Sequence, residues 1–169
     1  MVARPCVLDA SLLISLGKAR RLDILTKATS FAWKIGDVTR LELRQAETRE
    51  PVERLVLEQS IQVAEFDSSD IDGMTLFAEW SERVDPGEAE AIALALSRKW
   101  LVGLEDLDAR RLLDRHAGPG RWINCANILI DAHRVGKLTI EDAETAFSSL
   151  DVYPSYVKSG VHKLSDLLR

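Results

Sequence analysis

Cysteine, which forms disulfides, and histidine, which with cysteine supplies most zinc ligands, are scarce in this chain of 169 residues. Its two cysteines, Cys6 and Cys125, are 119 positions apart, which suits neither a disulfide framework nor a zinc-binding pair. The three histidines, His116, His133 and His162, also lack the paired spacing of zinc ligands. Disulfide scaffolds and zinc sites are therefore excluded.

Long apolar runs and glycine-rich phosphate loops are missing as well. No segment approaches the roughly 18 apolar residues that a membrane helix requires, and no signal-peptide cleavage pattern follows the first apolar stretch. Neither Gly-x-x-x-x-Gly-Lys nor Gly-x-Gly-x-x-Gly occurs, which argues against the common nucleotide-binding loops. We expect a protein of the reducing cytoplasm that does not enter membranes.

What is present is ordinary for a globular protein. Hydrophobic residues make up 46% and charged residues 29%, a composition that excludes intrinsic disorder. The length fits one domain, which we expect to span residues 1–169.

The net charge of −5 is unevenly distributed. Residues 1–36 carry six basic and two acidic side chains, and residues 97–138 carry eight basic and five acidic ones. Between them, residues 37–90 carry five basic and fifteen acidic side chains. This pattern allows a basic rim around an acidic pocket, although for most of these acids we favour a solvated helical surface.

Four short apolar segments read as strands, at Arg4–Leu8, Phe31–Ile35, Ile61–Phe66 and Trp100–Leu104. Helical patterns lie between and after them. They include Ala19–Thr29, a helix opened by Asp37 and Thr39, a helix begun by Pro51, Ser68–Val84, Glu88–Lys99, Asn124–Val135, Glu141–Leu150 and Tyr156–Leu168. Strands that alternate with helices predict parallel crossovers and an α/β fold.

Carboxylates fall where these elements would bring them to one edge of a parallel sheet. Asp9 ends the first strand, Asp106 follows the fourth, and Glu42 and Glu88 lie near helix ends. Ligands of open α/β sheets bind at that edge. Clustered carboxylates repel one another unless a cation neutralises them, and oxygen ligands favour Mg²⁺ or Mn²⁺. The order of the acids indicates metal-assisted phosphodiester hydrolysis.

Each acid also has a local explanation. Asp9 can cap a helix, Asp106 and Asp108 can compete for another cap, and acids in a first helical turn are favoured by the helix dipole. Glu42 can be an exposed helix residue. The hypothesis therefore depends on the combination.

The sequence around these acids resembles the PIN-domain family. Val7-Leu-Asp-Ala-Ser-Leu-Leu-Ile-Ser-Leu is similar to the opening of PIN domains, whose first strand ends in a metal-binding Asp. Gly87-Glu-Ala-Glu-Ala-Ile and Leu104-Glu-Asp-Leu-Asp-Ala-Arg-Arg resemble segments of one bacterial and archaeal subgroup, the VapC-like ribonucleases. The likeness extends over roughly residues 5–165.

The resemblance implies a three-layer α/β/α domain with a central parallel sheet and a metal-dependent ribonuclease, the toxin of a toxin–antitoxin pair. It implies that RNA is the substrate and that an antitoxin protein and a second copy of the chain are partners. The residues it assigns to catalysis and to Mg²⁺ or Mn²⁺ are Asp9, Glu42, Glu88 and Asp106, with Glu90 and Asp108 acting through bound waters. Arg110 and Arg111 would neutralise a substrate phosphate.

Several alternatives stay open at this point. The fourth acid falls on Glu105 or Asp106, of which we favour Asp106, and Glu47 is the next candidate if Glu42 is misplaced. The subgroup's Gly-Thr before the late helix is Asn124-Cys125 here, so a hydroxyl near the metal is missing. This departure supports a rival function, a PIN-like binding module without catalytic activity. A small-molecule phosphohydrolase is a third interpretation.

Overall fold

The computed structural model describes residues 2–168 and builds them around one parallel sheet. The sheet strands are β1 (Arg4–Leu8), β2 (Phe31–Ile35), β3 (Ile61–Val63), β4 (Leu101–Gly103) and β5 (Trp122–Ile123). Among the described residues there are five strands, in the order β3-β2-β1-β4-β5, and every neighbouring pair is parallel. The predicted α/β class is confirmed.

Helices cover both faces of this sheet. In chain order they are α1 (Ala10–Lys18), α2 (Ile24–Lys27), α3 (Asp37–Glu42), α4 (Ala46–Leu57), α5 (Ile71–Ser81), α6 (Pro86–Ser97), α7 (Leu107–Ala117), α8 (Cys125–Arg134), α9 (Ile140–Ser149) and α10 (Tyr153–Lys158), followed by a 3₁₀ turn at Leu164–Leu167. None of the helices within residues 2–168 is long and apolar enough to cross a membrane.

The alternation of side chains along each strand creates two cores. Cys6 and Leu8 of β1 pack with α1 and α8 on one face, whereas Val7 packs with α6 on the other. A parallel strand buried on both faces is apolar at nearly every position, as the middle of β1 is. The three layers predicted for this fold are therefore present.

Several element predictions were wrong in detail. The helix predicted to begin at Pro51 starts at Ala46 and contains Pro51 in its interior, and the strand predicted at Ile61–Phe66 ends at Val63. The strand β5 was missed because two residues carry no periodic signal. The helix predicted at Ala19–Thr29 shrinks to α2, because Arg20 adopts a left-handed φ of 54° and ends the preceding helix. The predicted Tyr156–Leu168 helix is interrupted at Gly160, whose φ is 88°.

The strand order reverses between β1 and β4, which lie side by side at the centre of the sheet. Chains leave these two strands in opposite lateral directions, so a crevice forms at their carboxyl ends. The amide of Asp9 donates to the carbonyl of Gly103 at 3.0 Å, which fixes the two strand ends against each other. Asp9 and Asp106 follow these strands directly.

Candidate metal centre

Asp9 lies at the bottom of the crevice with no exposed surface. It caps α1, because its Oδ2 accepts hydrogen bonds from the amide of Ser11 at 2.9 Å and from the Ser11 hydroxyl. Its other oxygen, Oδ1, is buried and has no hydrogen-bond partner among the described residues. Burial, together with the charge of Glu42, raises the pKa of Asp9 to about 6, against the hydrogen bonds from Ser11 that lower it. Asp9 thus has both the capping role and an oxygen left for a ligand.

Glu42 reaches the crevice from the last turn of α3. Its Oε1 accepts a hydrogen bond from the amide of Gly87 at 2.8 Å, in the first turn of α6. A Cβ atom at position 87 would lie 2.3 Å from Glu42 Oε2, so a side chain there would force the Glu42 carboxylate out of this position. The alternative acid, Glu47, is exposed on α4.

Glu90 also connects α3 and α6, but in this case the carboxylate belongs to α6 and the backbone donors to α3. It is 5% exposed, and its two oxygens accept hydrogen bonds from the amides of Val38 and Thr39 at 3.1 and 3.0 Å. These amides are orphan donors of the first turn of α3, so Glu90 satisfies the start of the helix that carries Glu42. The Thr39 hydroxyl adds a hydrogen bond to the carbonyl of Gly87 at 3.3 Å. We call this set of contacts the α3–α6 junction.

Glu88 and Asp106 complete the group of acids electrostatically. Glu88 is half-buried, and burial together with the charges of Asp9, Asp106 and Asp85 raises its pKa to about 8. Asp106 caps α7 through a 2.8 Å hydrogen bond from the amide of Ala109 to its Oδ1. We call Asp9, Glu42, Glu88 and Asp106 the acid cluster.

Glu105, the competing candidate for the fourth acid, has a different environment from Asp106. It is 7% exposed, and its two oxygens accept hydrogen bonds from the amide of Cys125 at 2.9 Å and the Tyr156 hydroxyl at 3.1 Å. Its own amide donates to the Ser11 hydroxyl oxygen at 3.3 Å. Both carboxylate oxygens are engaged, which favours Asp106 as the metal ligand. Sequence reasoning missed this network because its members are distant in the chain.

The remaining predicted residues lie around Asp106. Arg110 donates to the carbonyls of Asp106 and Glu105 at 3.2 and 3.3 Å, and its guanidinium carbon lies 4.7 Å from the centre of the Trp122 ring. Asp108 has a 91% exposed side chain and pairs with Arg111 at 3.5 Å on the surface of α7.

Asn124 and Cys125 occupy the place of the subgroup's Gly-Thr. The Asn124 side chain accepts from the amide of Asn127 at 3.0 Å and caps α8. The Cys125 thiol is buried and points to the carbonyl of Leu12 at 3.8 Å, while its amide donates to Glu105. This position therefore stabilises the turn before α8 and adds no hydroxyl to the crevice.

Within residues 2–168, no three His, Cys, Asp or Glu side chains stand close enough together to hold one metal ion. The carboxylates of Glu42 and Asp106 bond to backbone amides, and Asp9 bonds to Ser11. Nonetheless the donor set fits a hard divalent cation. It consists of carboxylate oxygens, and it contains the unpartnered Asp9 Oδ1. Burial and, after it, repulsion from neighbouring acids raise the pKa of Glu88, and a cation relieves that repulsion.

Comparison with known families agrees with this geometry. A family profile described as a PIN domain matches residues 5–164, nearly the whole chain. No curated protein matches the sequence significantly. The matched region includes all five strands and the acid cluster. The chain belongs to the PIN-domain family.

Proposed function

We propose that this protein is a divalent-metal-dependent ribonuclease and the toxin of a toxin–antitoxin pair. PIN domains are generally nucleases and typically use divalent metals, so hydrolase chemistry follows from the family. The observation that carries the proposal is the unpartnered Oδ1 of Asp9, buried at the sheet's switch point beside other acids. An orphaned buried carboxylate oxygen is unfavourable unless a ligand uses it.

In this proposal Asp9, Glu42, Glu88 and Asp106 hold Mg²⁺ or Mn²⁺. A bound divalent cation polarises a phosphoryl oxygen and lowers the pKa of water, which supplies a nucleophile near neutral pH. Ser11 orients Asp9, and the amide of Gly87 orients Glu42. Glu88, whose pKa is raised to about 8, holds a proton near neutral pH, and it would lose that proton if a divalent cation were bound beside it.

The substrate phosphate needs positive partners outside the acids. Arg110 is fixed beside Asp106 by two carbonyls and the Trp122 ring, so its guanidinium is pre-organised for a phosphate or a base. Arg111 is exposed on the same helix and can contact the RNA backbone once it leaves Asp108. Asp108 and Glu90 remain candidates for tuning the site, although Glu90 does so through the α3–α6 junction.

A cleavage assay tests the enzymatic part. Purified protein should cleave single-stranded RNA with Mn²⁺ and lose that activity in a chelator, whereas the matched Asp9→Asn variant should be inactive in both. RNA binding without cleavage would favour the binding-module alternative, for which the absence of a hydroxyl at Cys125 is the supporting observation. Hydrolysis of a small phosphomonoester with no action on RNA would favour the phosphohydrolase.

The toxin part has its own test. Production of the wild-type protein in a bacterial host should stop growth, and Asp9→Asn should not. A neighbouring gene for a small DNA-binding protein, co-expressed, should restore growth and co-purify with the chain. Light scattering on the purified protein tests the proposed homodimer. Growth unaffected by an active nuclease would remove the toxin role and leave the ribonuclease.

A further inference from the structure

A cleft of about 600 Å³ lies immediately beside the acid cluster. It is bounded by α1, the start of α7 and α10, and Ser11 and Asp106 belong to both its wall and the crevice. Its volume falls within the usual range for sites that take small organic groups. The cleft is therefore continuous with the proposed catalytic centre, which uses Ser11, Asp106 and Arg110 from its wall and leaves the rest of the cleft without a role.

The lining of the cleft is suited to a flat, uncharged group. Ile14, Leu107 and Val152 supply apolar surface. Leu107 is half exposed, so its apolar surface is open to the cleft.

Two carboxylates in the wall already have hydrogen-bond partners within the protein. Asp151 accepts hydrogen bonds from the Ser15 hydroxyl at 2.7 Å and from Lys18 Nζ at 2.8 Å. Glu105 accepts from Cys125 and Tyr156, as described above. A phosphate placed here would meet these carboxylates at close range and be repelled, whereas an uncharged base would not.

Two donors in the wall remain available for a ligand. The Ser155 hydroxyl makes no hydrogen bond within residues 2–168, and it is exposed to the cleft. Arg110 uses Nε and Nη2 for backbone carbonyls, so its Nη1 group is left to donate. Both match the carbonyl and ring-nitrogen acceptors on the edge of a nucleobase.

We propose that this cleft is a subsite for one unpaired nucleobase of a single-stranded RNA, adjacent to the scissile phosphate. The inference rests on the proposed function, because it takes that phosphate to lie at the acid cluster. The apolar wall covers the faces of the base, and Ser155 and Arg110 donate to its edge. The subsite thereby gives the enzyme a preference for unpaired RNA, since a base inside a duplex cannot turn into the cleft.

The test combines a protein variant whose cleft is filled by a tryptophan side chain with RNAs that lack one base. Ser155→Trp places an indole in the cleft, and Ser148→Trp, on the exposed surface of α9, is the matched control. Both changes are made in the Asp9→Asn background so that RNA is not cut, and circular dichroism verifies that both variants fold. Fluorescence anisotropy then measures the binding of single-stranded RNA hexamers, each carrying an abasic nucleotide at a different position.

One abasic position should weaken binding to the control about tenfold, a loss typical of one bound base. Ser155→Trp should weaken binding of the intact hexamer by a similar factor and should be insensitive to that abasic position. If both variants respond to every abasic position alike, the subsite is refuted and the cleft is left for a protein segment.

The two proposals fail separately in this design. If wild type cleaves RNA but Ser155→Trp does not remove the sensitivity to one abasic position, the ribonuclease proposal stands and the subsite is refuted. If Ser155→Trp removes that sensitivity but wild type does not cleave RNA, the base-binding cleft stands and the catalytic proposal is refuted.

Discussion

The acid cluster and the α3–α6 junction share helix α6 but treat their carboxylates in opposite ways. Glu88 and Glu90 are two positions apart, so they project from different sides of the helix. Glu90 has an amide donor for each oxygen, and its role is complete within the protein. Burial raises the pKa of Glu90, as it does those of Asp9 and Glu88, so the pKa does not separate the two groups. The difference is that Asp9 keeps a buried oxygen without a partner among the described residues. The comparison teaches that a buried carboxylate oxygen without a hydrogen-bond partner, more than the residue type, distinguishes a functional carboxylate from a structural one.

The sharpest way to break the comparison is to remove the charge from the two acids that follow the central strands. Asp9→Asn and Asp106→Asn should reduce Mn²⁺-dependent RNA cleavage by at least about 1,000-fold, because each removes a ligand charge from the metal site. The unfolding temperature at pH 7.5 without metal should be unchanged or higher, since like-charge repulsion is relieved. Cleavage rates and thermal melts of the purified variants measure both effects. Wild-type cleavage by Asp9→Asn would refute the nuclease proposal.

A second prediction compares the neutralisation of Glu88 with that of Glu90. Glu88→Gln should abolish most cleavage and leave the free energy of unfolding at pH 7 unchanged or higher. Glu90→Gln should reduce cleavage only about 10–100-fold, the usual range for a residue that supports a ligand. It should lower the free energy of unfolding by about 1–3 kcal/mol, because its new amide group faces a buried backbone donor. Urea unfolding beside the cleavage assay provides the measurement, and equal effects of the two variants on both quantities would contradict the distinction.

A third prediction concerns the stabilisation of the folded chain by a bound divalent cation. A cation that binds only the folded chain should add about 2.7 kcal/mol of stability at a hundredfold excess over Kd. Titration of Mn²⁺ into thermal melts should show this for wild type and for Glu90→Gln, but not for Asp9→Asn. An equal shift in all three proteins would place the bound metal away from the acid cluster.

The pH dependence of stability in the absence of metal provides a further test. The pKa of Asp9 rises from 3.8 to about 6 on folding, and that of Glu88 rises from 4.5 to about 8. The folded state therefore binds protons more tightly, so without metal the stability should fall as the pH rises through the window from about 4 to 8. Thermal melts in a chelator measure the slope, and Glu88→Gln should flatten its upper part. A slope that Glu88→Gln leaves intact would assign the titration to other groups.

The sequence predicts the acids at the strand ends well, because strand-forming segments and the position of the crevice both follow from simple patterns. Asp9 and Asp106 are found at the central strands as expected. The partners of Glu90 and Glu105 were not predictable, since they come from residues about 50 positions away or, for Cys125, 20 positions away. Such contacts depend on how the helices pack, and no local pattern records them.

The two glycines near α6 and α3 carry a consequence for related sequences. A Cβ at Gly36 would lie 1.9 Å from Glu90 Oε2, as one at Gly87 would crowd Glu42. Each glycine is thus the spatial counterpart of one carboxylate, although the members of each pair are 45 or more positions apart in the chain. Among homologues, loss of Gly87 should coincide with loss or shortening of Glu42, and Gly36 should covary with Glu90. A relative that keeps both pairs while changing Asp9 would have preserved the scaffold after giving up the chemistry.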